Sequence, residues 1–267
     1  MNFKIDKSFH GLTVEDFFNF YHVGKKYLSL LNKEGVFIND KRVKLDYLIN
    51  KGDILSFNIK ENKAKDIYKG EIKILYEDED ILIVYKDPFM LVHPDGEKRD
   101  TLSSRVNYYY PHAKHIHRID YETSGMVLYG KHFLATCFLN HLMETHKIYK
   151  QYILLCHNPF NKLKGEINFK IARDRHENKQ RVSKAGKDAK SIYEVIQNGK
   201  ISRVSVQIIG GRRHQIRVHM AAINHPIVGD KLYGFGDGDR LMLHFSKISF
   251  IHPRTLKLFT FHSEPNF

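Results

Sequence analysis

The chain is poor in cysteine and has no long apolar run, and both features narrow what it can be. Its two cysteines, Cys137 and Cys156, lie in apolar surroundings without Cys-x-x-Cys spacing, which argues against a disulfide scaffold or a thiolate metal site. No apolar run approaches the ~18 residues that a membrane helix needs. Residues 1–10 carry lysines but lack the apolar core of a secretory signal. We therefore expect a cytoplasmic monomer that does not enter the membrane.

Other signatures are missing as well. The sequence has no internal repeat and no low-complexity tract, and Gly210-Gly211 lacks both the spacing and the following Lys-Ser/Thr of a phosphate-binding P-loop. Histidine is abundant, and His112, His115 and His117 lie close together. Their strand-like spacing and the lack of nearby thiolates do not favour zinc. We expect neither a metal nor a cofactor.

Positive charge is what the chain has in excess. Lysine and arginine outnumber the acidic residues by 43 to 30, for a net charge of +13. This favours a polyanion such as nucleic acid, because each neutralised phosphate releases condensed counterions. A merely soluble basic protein stays possible, whereas no amphipathic basic helix indicates a membrane surface. Residues 170–190 carry eight basic and three acidic side chains; they form either a phosphate-facing hairpin or loop, or a solvated charge run.

The pattern of apolar residues and turns predicts two parts. Residues 1–62 read as a small α/β unit of two short helices followed by short strands, with Lys25, Lys26 and Arg42 in a basic group that suits RNA. Residues 63–70 are polar and form the candidate linker. In residues 71–267 strands outnumber helices and do not alternate strictly with them, which predicts an α+β domain with a mixed, largely antiparallel sheet.

Two segments concentrate polar side chains next to apolar strands. The first, HRIDYETSG at 117–125, precedes the apolar run 126–129. The second, GGRRHQIRVHM at 210–220, follows the strand-like run 201–209 and leads into HPIVGDKLYG at 225–234. Taken singly, Asp120 could be a turn former with Arg118 as its surface ion pair, and the second segment could be a solvated helix face. Neither segment alone decides a function.

Together the two segments closely resemble the signature motifs of the RluA-type family of RNA pseudouridine synthases. The likeness covers 71–267 and includes ILYEDEDILIVYK at 74–86, the strand start KQY at 150–152 and LMLHFSKISFIHPRT at 241–255. Residues 1–62 resemble the small RNA-binding domain, shared with a ribosomal protein, that often precedes this catalytic domain. The chain departs from the family at Ile119, at Gly130 and at Pro88-Phe89-Met90, where a Pro-x-Gly turn is usual.

The resemblance implies the conversion of specific uridines to pseudouridine in structured RNA, with ribosomal RNA favoured over transfer RNA and no cofactor. It makes Asp120 the nucleophile, Arg217 the arginine that pairs with it, and Tyr152 the aromatic residue that stacks on the extracted uracil. The residues expected to bind RNA are Arg118, His117, Arg212, His214, Gln215, Lys25, Lys26 and Arg42. The alternatives are a non-catalytic RNA-binding or ribosome-assembly factor and a DNA-binding regulator, although the latter lacks a recognition helix.

Overall fold

The computed structural model describes residues 2–59, 67–96, 99–175 and 177–267, so the first half of the predicted linker, residues 63–66, lies outside the described residues. The N-terminal unit has a 3₁₀ turn at Lys7–Phe9 and, in chain order, β1 (Asn2–Lys4), α1 (Val14–Phe20), α2 (Lys25–Glu34), β2 (Val36–Ile38), β3 (Lys41–Val43) and β4 (Ile54–Phe57). Its strands form one antiparallel sheet in the order β1-β4-β2-β3.

The larger part contains the remaining elements. In chain order they are β5 (Lys73–Glu77), β6 (Ile81–Lys86), α3 (Leu102–Tyr109), β7 (Lys114–His115), β8 (Ser124–Gly130), α4 (Phe133–Glu144), β9 (Tyr149–His157), β10 (Lys164–Ile167), β11 (Ile171–Arg173), β12 (Gln180–Val182), β13 (Lys190–Gln197), β14 (Ile201–Ile209), α5 (Gln215–Ala222), β15 (Leu243–Ile251) and β16 (Leu258–His262). None of the described helices is long and apolar enough to cross a bilayer.

One ten-stranded sheet organises this part. Its main path runs β10-β13-β14-β9-β15-β8-β6-β5, with β16 paired to β15 and β7 to β8, while β11 and β12 form a separate hairpin. Among the described pairings only β8 with β15 is parallel; the others in this sheet are antiparallel. The predicted α+β class with a mixed, largely antiparallel sheet is confirmed.

The parallel pair at the centre of the sheet positions the loop that precedes β8. Every residue of β8 is buried, and Gly125 has a φ of 126°. A Cβ atom on Gly125 would lie 2.5 Å from the backbone oxygen of Phe245 on β15. Only glycine lets the two backbones approach so closely. The Thr-Ser-Gly segment therefore seals β8 against β15 and directs the preceding loop toward one edge of the core.

The first α-helix of the N-terminal unit begins where its sequence predicts. The Thr13 hydroxyl accepts from the Asp16 amide at 3.0 Å, and the Thr13 amide donates to the Asp16 carboxylate at 3.1 Å, which completes a capping box at the start of α1. Phe17 and Phe18 on α1 are buried in the hydrophobic core. The boundary of the predicted RNA-binding domain stays a prediction.

The N-terminal unit packs against α4 of the larger part through aromatic rings. The ring centroids of Phe20 and Phe138 are 5.9 Å apart, and Tyr27 meets Phe133 edge-on at 5.0 Å. Aromatic pairs at such separations add to the gain from burying their area. Helix α4 thus joins the two parts on one face, while Met143 in its last turn lines the cleft described next.

Candidate active site

A cleft of about 520 Å³ opens where three parts of the sheet meet. Its walls come from 116–120 before β8, from the start of β9, and from 211–217, which leads into α5. The three predicted catalytic residues, Asp120, Tyr152 and Arg217, all line it. The fold therefore brings together three residues that lie far apart in the chain, as the sequence motifs predict.

Arg217 pairs most closely with Asp230. Its guanidinium makes a bidentate ion pair with Asp230, with Nε–Oδ2 at 2.8 Å and Nη2–Oδ1 at 2.7 Å. The closest approach to Asp120 is 3.7 Å, from Nη1 to Oδ2, and Glu122 lies at the same distance from Nη2. Both contacts exceed hydrogen-bond length. Arg217 therefore forms a long ion pair with Asp120, as the resemblance implies, and is anchored by its hydrogen bonds to Asp230.

Asp230 is built to hold this cation. It is fully buried, and its Oδ1 also accepts from the backbone amides of Leu232 at 2.9 Å and Tyr233 at 3.1 Å. The Tyr233 ring lies 5.2 Å from the guanidinium carbon of Arg217. Burial alone would lower the pKa of Arg217, but the hydrogen bonds and charge of Asp230 raise it above its ordinary value. The cleft therefore contains a permanent, preoriented positive charge.

Asp120 differs from its neighbours because it reaches the cleft from a turn. Its carbonyl accepts from the Thr123 amide at 3.1 Å, and its side chain is 28% exposed. A partly exposed carboxylate beside a buried guanidinium can approach a ligand that enters the cleft. The Thr123 hydroxyl lines the same cleft and is buried without a hydrogen-bond partner among the described residues. A bound ligand could satisfy it.

Tyr152 supplies a flat apolar wall. It is 7% exposed on β9 and stacks on Phe245 with ring centroids 4.7 Å apart and an interplanar angle of 27°. Burial, with a smaller contribution from the negative charge of Asp120, raises the pKa of Tyr152 well above its ordinary range. Tyr152 is therefore a neutral phenol, which suits contact with a planar base better than it suits a tyrosinate base catalyst.

The sequence analysis did not assign a role to two buried lysines, Lys86 and Lys150. Lys86, fully buried, donates through Nζ to the carbonyls of Asp87, Met90 and Tyr121 at 2.9, 2.7 and 3.1 Å. Burial lowers its pKa to about 7, although the nearby Asp120 charge opposes this. Lys150 lines the cleft, where burial lowers its pKa to about 8. A lysine that ends or begins an apolar strand run was the available signal for both.

His117 and Gln215, which were predicted to bind RNA, are buried and used internally. The His117 Nε2 accepts from the Leu128 amide at 3.2 Å, and burial, followed by the charge of Lys150, lowers its pKa to about 3. Gln215 accepts from the Arg212 amide at 3.0 Å and donates to the Lys190 carbonyl at 2.9 Å. Both residues line the cleft and are held there by these hydrogen bonds, and their role in RNA binding stays a prediction.

The other predicted RNA-binding residues divide into two groups. Arg118, Arg212 and His214 line the cleft; Arg118 donates to His93 Nε2 at 2.5 Å. His214 has a φ of 56° and sits just before α5, with its Nδ1 2.8 Å from the Tyr233 hydroxyl. The second group, Lys25, Lys26 and Arg42, lies in the N-terminal unit and does not line the cleft.

Among the described residues one cluster has the composition of a metal site, namely Asp78, Asp80 and His252. Asp80 is paired with Arg254 at 2.6 Å and His132 at 2.8 Å, and His252 bonds Asp78 at 3.0 Å. The guanidinium and the two imidazoles satisfy the carboxylates. The cluster is an ion-pair network between β6 and the end of β15, away from the cleft.

Comparison with known proteins decides what this arrangement belongs to. The family model for RNA pseudouridylate synthase matches residues 80–222, more than half of the chain. The chain belongs to the RNA pseudouridine synthase family. The matched region carries Asp120, Tyr152 and Arg217, so the family resemblance and the walls of the cleft coincide.

Relatives place the synthase in the RluA type. It is 36% identical over 208 residues to the dual-specificity RNA pseudouridine synthase RluA of Vibrio cholerae, covering 73% of this chain and 82% of that protein. It is 32% identical over 246 residues to the ribosomal large subunit pseudouridine synthase C of Buchnera aphidicola, covering 82% and 78%. The human RNA pseudouridylate synthase domain containing 1 shares the fold, with a TM-score of 0.64, 23% identity and coverage of 74% and 84%. The synthase is thus an isomerase that modifies RNA.

Proposed function

We propose that the synthase isomerises specific uridines of structured RNA with Asp120 as the nucleophile, and that its substrate is ribosomal rather than transfer RNA. One observation carries the catalytic part: a partly exposed carboxylate faces a locked guanidinium and a neutral aromatic wall in one cleft. The choice of ribosomal RNA is supported by the name of the Buchnera relative, a ribosomal large subunit pseudouridine synthase.

The reaction needs no redox change and no external energy. The Asp120 carboxylate attacks the nucleotide at the anomeric carbon of the ribose or on the uracil ring, and the bond between N1 and C1′ breaks. The base turns, C5 bonds to C1′ and the bond to Asp120 breaks, which restores the carboxylate; the proton from C5 leaves while N1 gains one, so atoms and charge balance. A carboxylate nucleophile divides a hard step into easier ones.

The Arg217–Asp230 pair prepares this carboxylate without touching it. The positive charge of Arg217 lies 3.7 Å from the Asp120 carboxylate and attracts it. Because Asp230 binds two of the guanidinium nitrogens, Arg217 cannot swing onto Asp120 and block the attacking oxygen. Tyr152 offers the uracil an apolar face at the opposite wall, as enzymes that extract a base from a nucleic acid commonly do.

RNA is held by charges outside the reacting centre. Arg118, Arg212 and His214 lie at the cleft. The basic segment 170–190 contains the β11–β12 hairpin, and this hairpin adjoins the cleft because Arg213 donates to Asn178 at 3.2 Å. We propose that the hairpin contacts phosphates, and that Lys25 and Lys26 of the N-terminal unit contact a second stretch of the same RNA.

The test of catalysis uses RNA tritiated at C5 of uridine, prepared from cells that lack the gene. The parent protein should release tritium to water, and Asp120→Asn should release none while binding the RNA with unchanged affinity. The matched control is Asp46→Asn, an exposed aspartate in the N-terminal unit, which should behave as the parent. Turnover by Asp120→Asn would refute the role of this carboxylate.

The choice of substrate is tested separately. Pseudouridines are mapped in total RNA from cells with and without the gene. Loss of one or more sites in ribosomal RNA is expected. Loss confined to transfer RNA would overturn the substrate proposal and leave the catalytic one standing.

A further inference from the structure

A strained turn beside the cleft carries an exposed aromatic ring. Pro88 and Phe89 occupy the centre of the turn after β6, and Phe89 has a φ of 64°. A turn with proline at its first central position and positive φ at its second strongly favours glycine or asparagine there. Phenylalanine is disfavoured in this conformation, and its ring is 49% exposed. Neither backbone preference nor core packing accounts for this side chain.

The ring does have an aromatic neighbour. Phe89 meets Tyr121 edge-on, with ring centroids 5.9 Å apart and an interplanar angle of 67°, and Tyr121 is itself 37% exposed. Tyr121 directly follows Asp120 in the chain. Two exposed aromatic rings therefore stand next to the residue that attacks the substrate.

Lys86 holds the two rings in a fixed relation. Its ammonium binds the carbonyls of Asp87 and Met90, which flank the turn, and the carbonyl of Tyr121. A single buried side chain thus ties both aromatic segments together. The positive φ of Phe89 persists because the hydrogen bonds of this ammonium hold both ends of the turn.

The surroundings identify what such a pair would bind. Tyr121 of this pair, though not Phe89, lines a cavity of about 220 Å³ that adjoins the main cleft, together with Asp120, Arg118 and Arg213. Asp95 and Glu122 line it too. These carboxylates would repel a phosphate, but they do not oppose a neutral base, and carboxylates accept hydrogen bonds from base amino groups. Arginines at the same rim suit the adjacent backbone phosphates.

We propose that Phe89 and Tyr121 form a stacking platform for one unpaired base of the substrate RNA, the neighbour of the uridine that is isomerised. This rests on the proposed function of Asp120, because the platform is defined by its adjacency to that residue. A base stacked there keeps the strand open while the uridine occupies the cleft, and the platform accepts any base because every base has a π-face.

The test uses a hairpin RNA with an all-uridine loop in which 2-aminopurine replaces one loop base. The probe is bound to the Asp120→Asn protein, so that turnover does not interfere. Stacking should quench the fluorescence of 2-aminopurine. Adding Phe89→Gly should abolish most of this quenching and weaken binding about 5- to 150-fold, the range expected from the loss of base–aromatic stacking.

Two comparisons separate stacking from folding. Phe89→Gly relieves the positive-φ strain, so its melting temperature should equal or exceed that of the parent. Phe89→Leu keeps an apolar side chain and the strained backbone but lacks the π-face, and it should lose quenching as Phe89→Gly does. In the otherwise native enzyme both variants should raise KM for tritiated RNA and leave kcat unchanged.

The outcomes distinguish this proposal from the catalytic one. If Phe89→Gly binds RNA and quenches 2-aminopurine like its parent, the stacking platform is refuted, and a protein partner becomes the alternative ligand of the exposed pair. If Asp120→Asn retains turnover while both Phe89 variants lose quenching, the catalytic role fails and the platform stands.

Discussion

The Arg217–Asp230 ion pair offers the sharpest test of how the site is built. The sequence motifs predicted that Arg217 pairs with Asp120, and the structure places Asp230 at 2.7–2.8 Å and Asp120 at 3.7 Å. Both members of the closer pair are buried, but Asp120 is 28% exposed. The two carboxylates should therefore respond very differently to loss of the guanidinium.

Substitution of Arg217 by alanine leaves a buried Asp230 carboxylate whose donors among the described residues are two backbone amides. Breaking a buried pair in this way costs about 3–5 kcal/mol. For a chain of this size, that corresponds to a fall in melting temperature of roughly 6–20 °C. The Asp120 side adds little, because solvent reaches it and the contact is long; about 1 kcal/mol or less is expected.

Double-mutant cycles measured by urea unfolding separate the two contributions. One cycle combines Arg217→Ala with Asp230→Asn, and the other combines Arg217→Ala with Asp120→Asn. We expect a coupling free energy of about 3 kcal/mol in the first cycle and less than about 1 kcal/mol in the second. Equal couplings, or an unchanged melting temperature for Arg217→Ala, would refute the assignment of Asp230 as the anchor.

Three further predictions follow from named contacts. The folded pKa of His117, about 3, lies below its unfolded value of about 6.5. Between these values the unfolded state binds one more proton, so the free energy of unfolding falls as pH drops. His117→Asn should reduce the slope of unfolding free energy against pH by about 1.4 kcal/mol per pH unit in urea titrations. Phe138→Ala removes a buried ring that contacts Phe20 and should cost about 3–5 kcal/mol in urea unfolding; a near-zero cost would argue against docking of the N-terminal unit on α4. Replacing Lys25 and Lys26 together by alanine should reduce the salt slope of RNA binding by roughly 1.4–1.8, measured by fluorescence anisotropy at several salt concentrations, whereas an unchanged slope would remove them from the RNA interface.

Local sequence signals predicted the elements whose stability is local. The capping box of Thr13 and Asp16 marks the start of α1, and the apolar run 201–209 coincides with β14. Helix α3 was missed because its few apolar residues, Leu102 and Val106, become buried only through tertiary packing. Strands β10 and β13 were missed because their charged residues hide the alternation of apolar side chains, whereas the hairpin proposed within 170–190 is present as β11 and β12.

The sequence by itself determined the family, the sheet-rich class and the three residues that meet in the cleft, because these depend on short motifs and on the alternation of apolar side chains. Tertiary structure alone decided which carboxylate holds Arg217, that His117 and Gln215 face inward, and that Lys86 joins the Phe89 turn to the Asp120 loop. Such choices depend on distances between segments distant in the chain and on which side chains lose water. These distances and the loss of hydration are set only when the chain has folded.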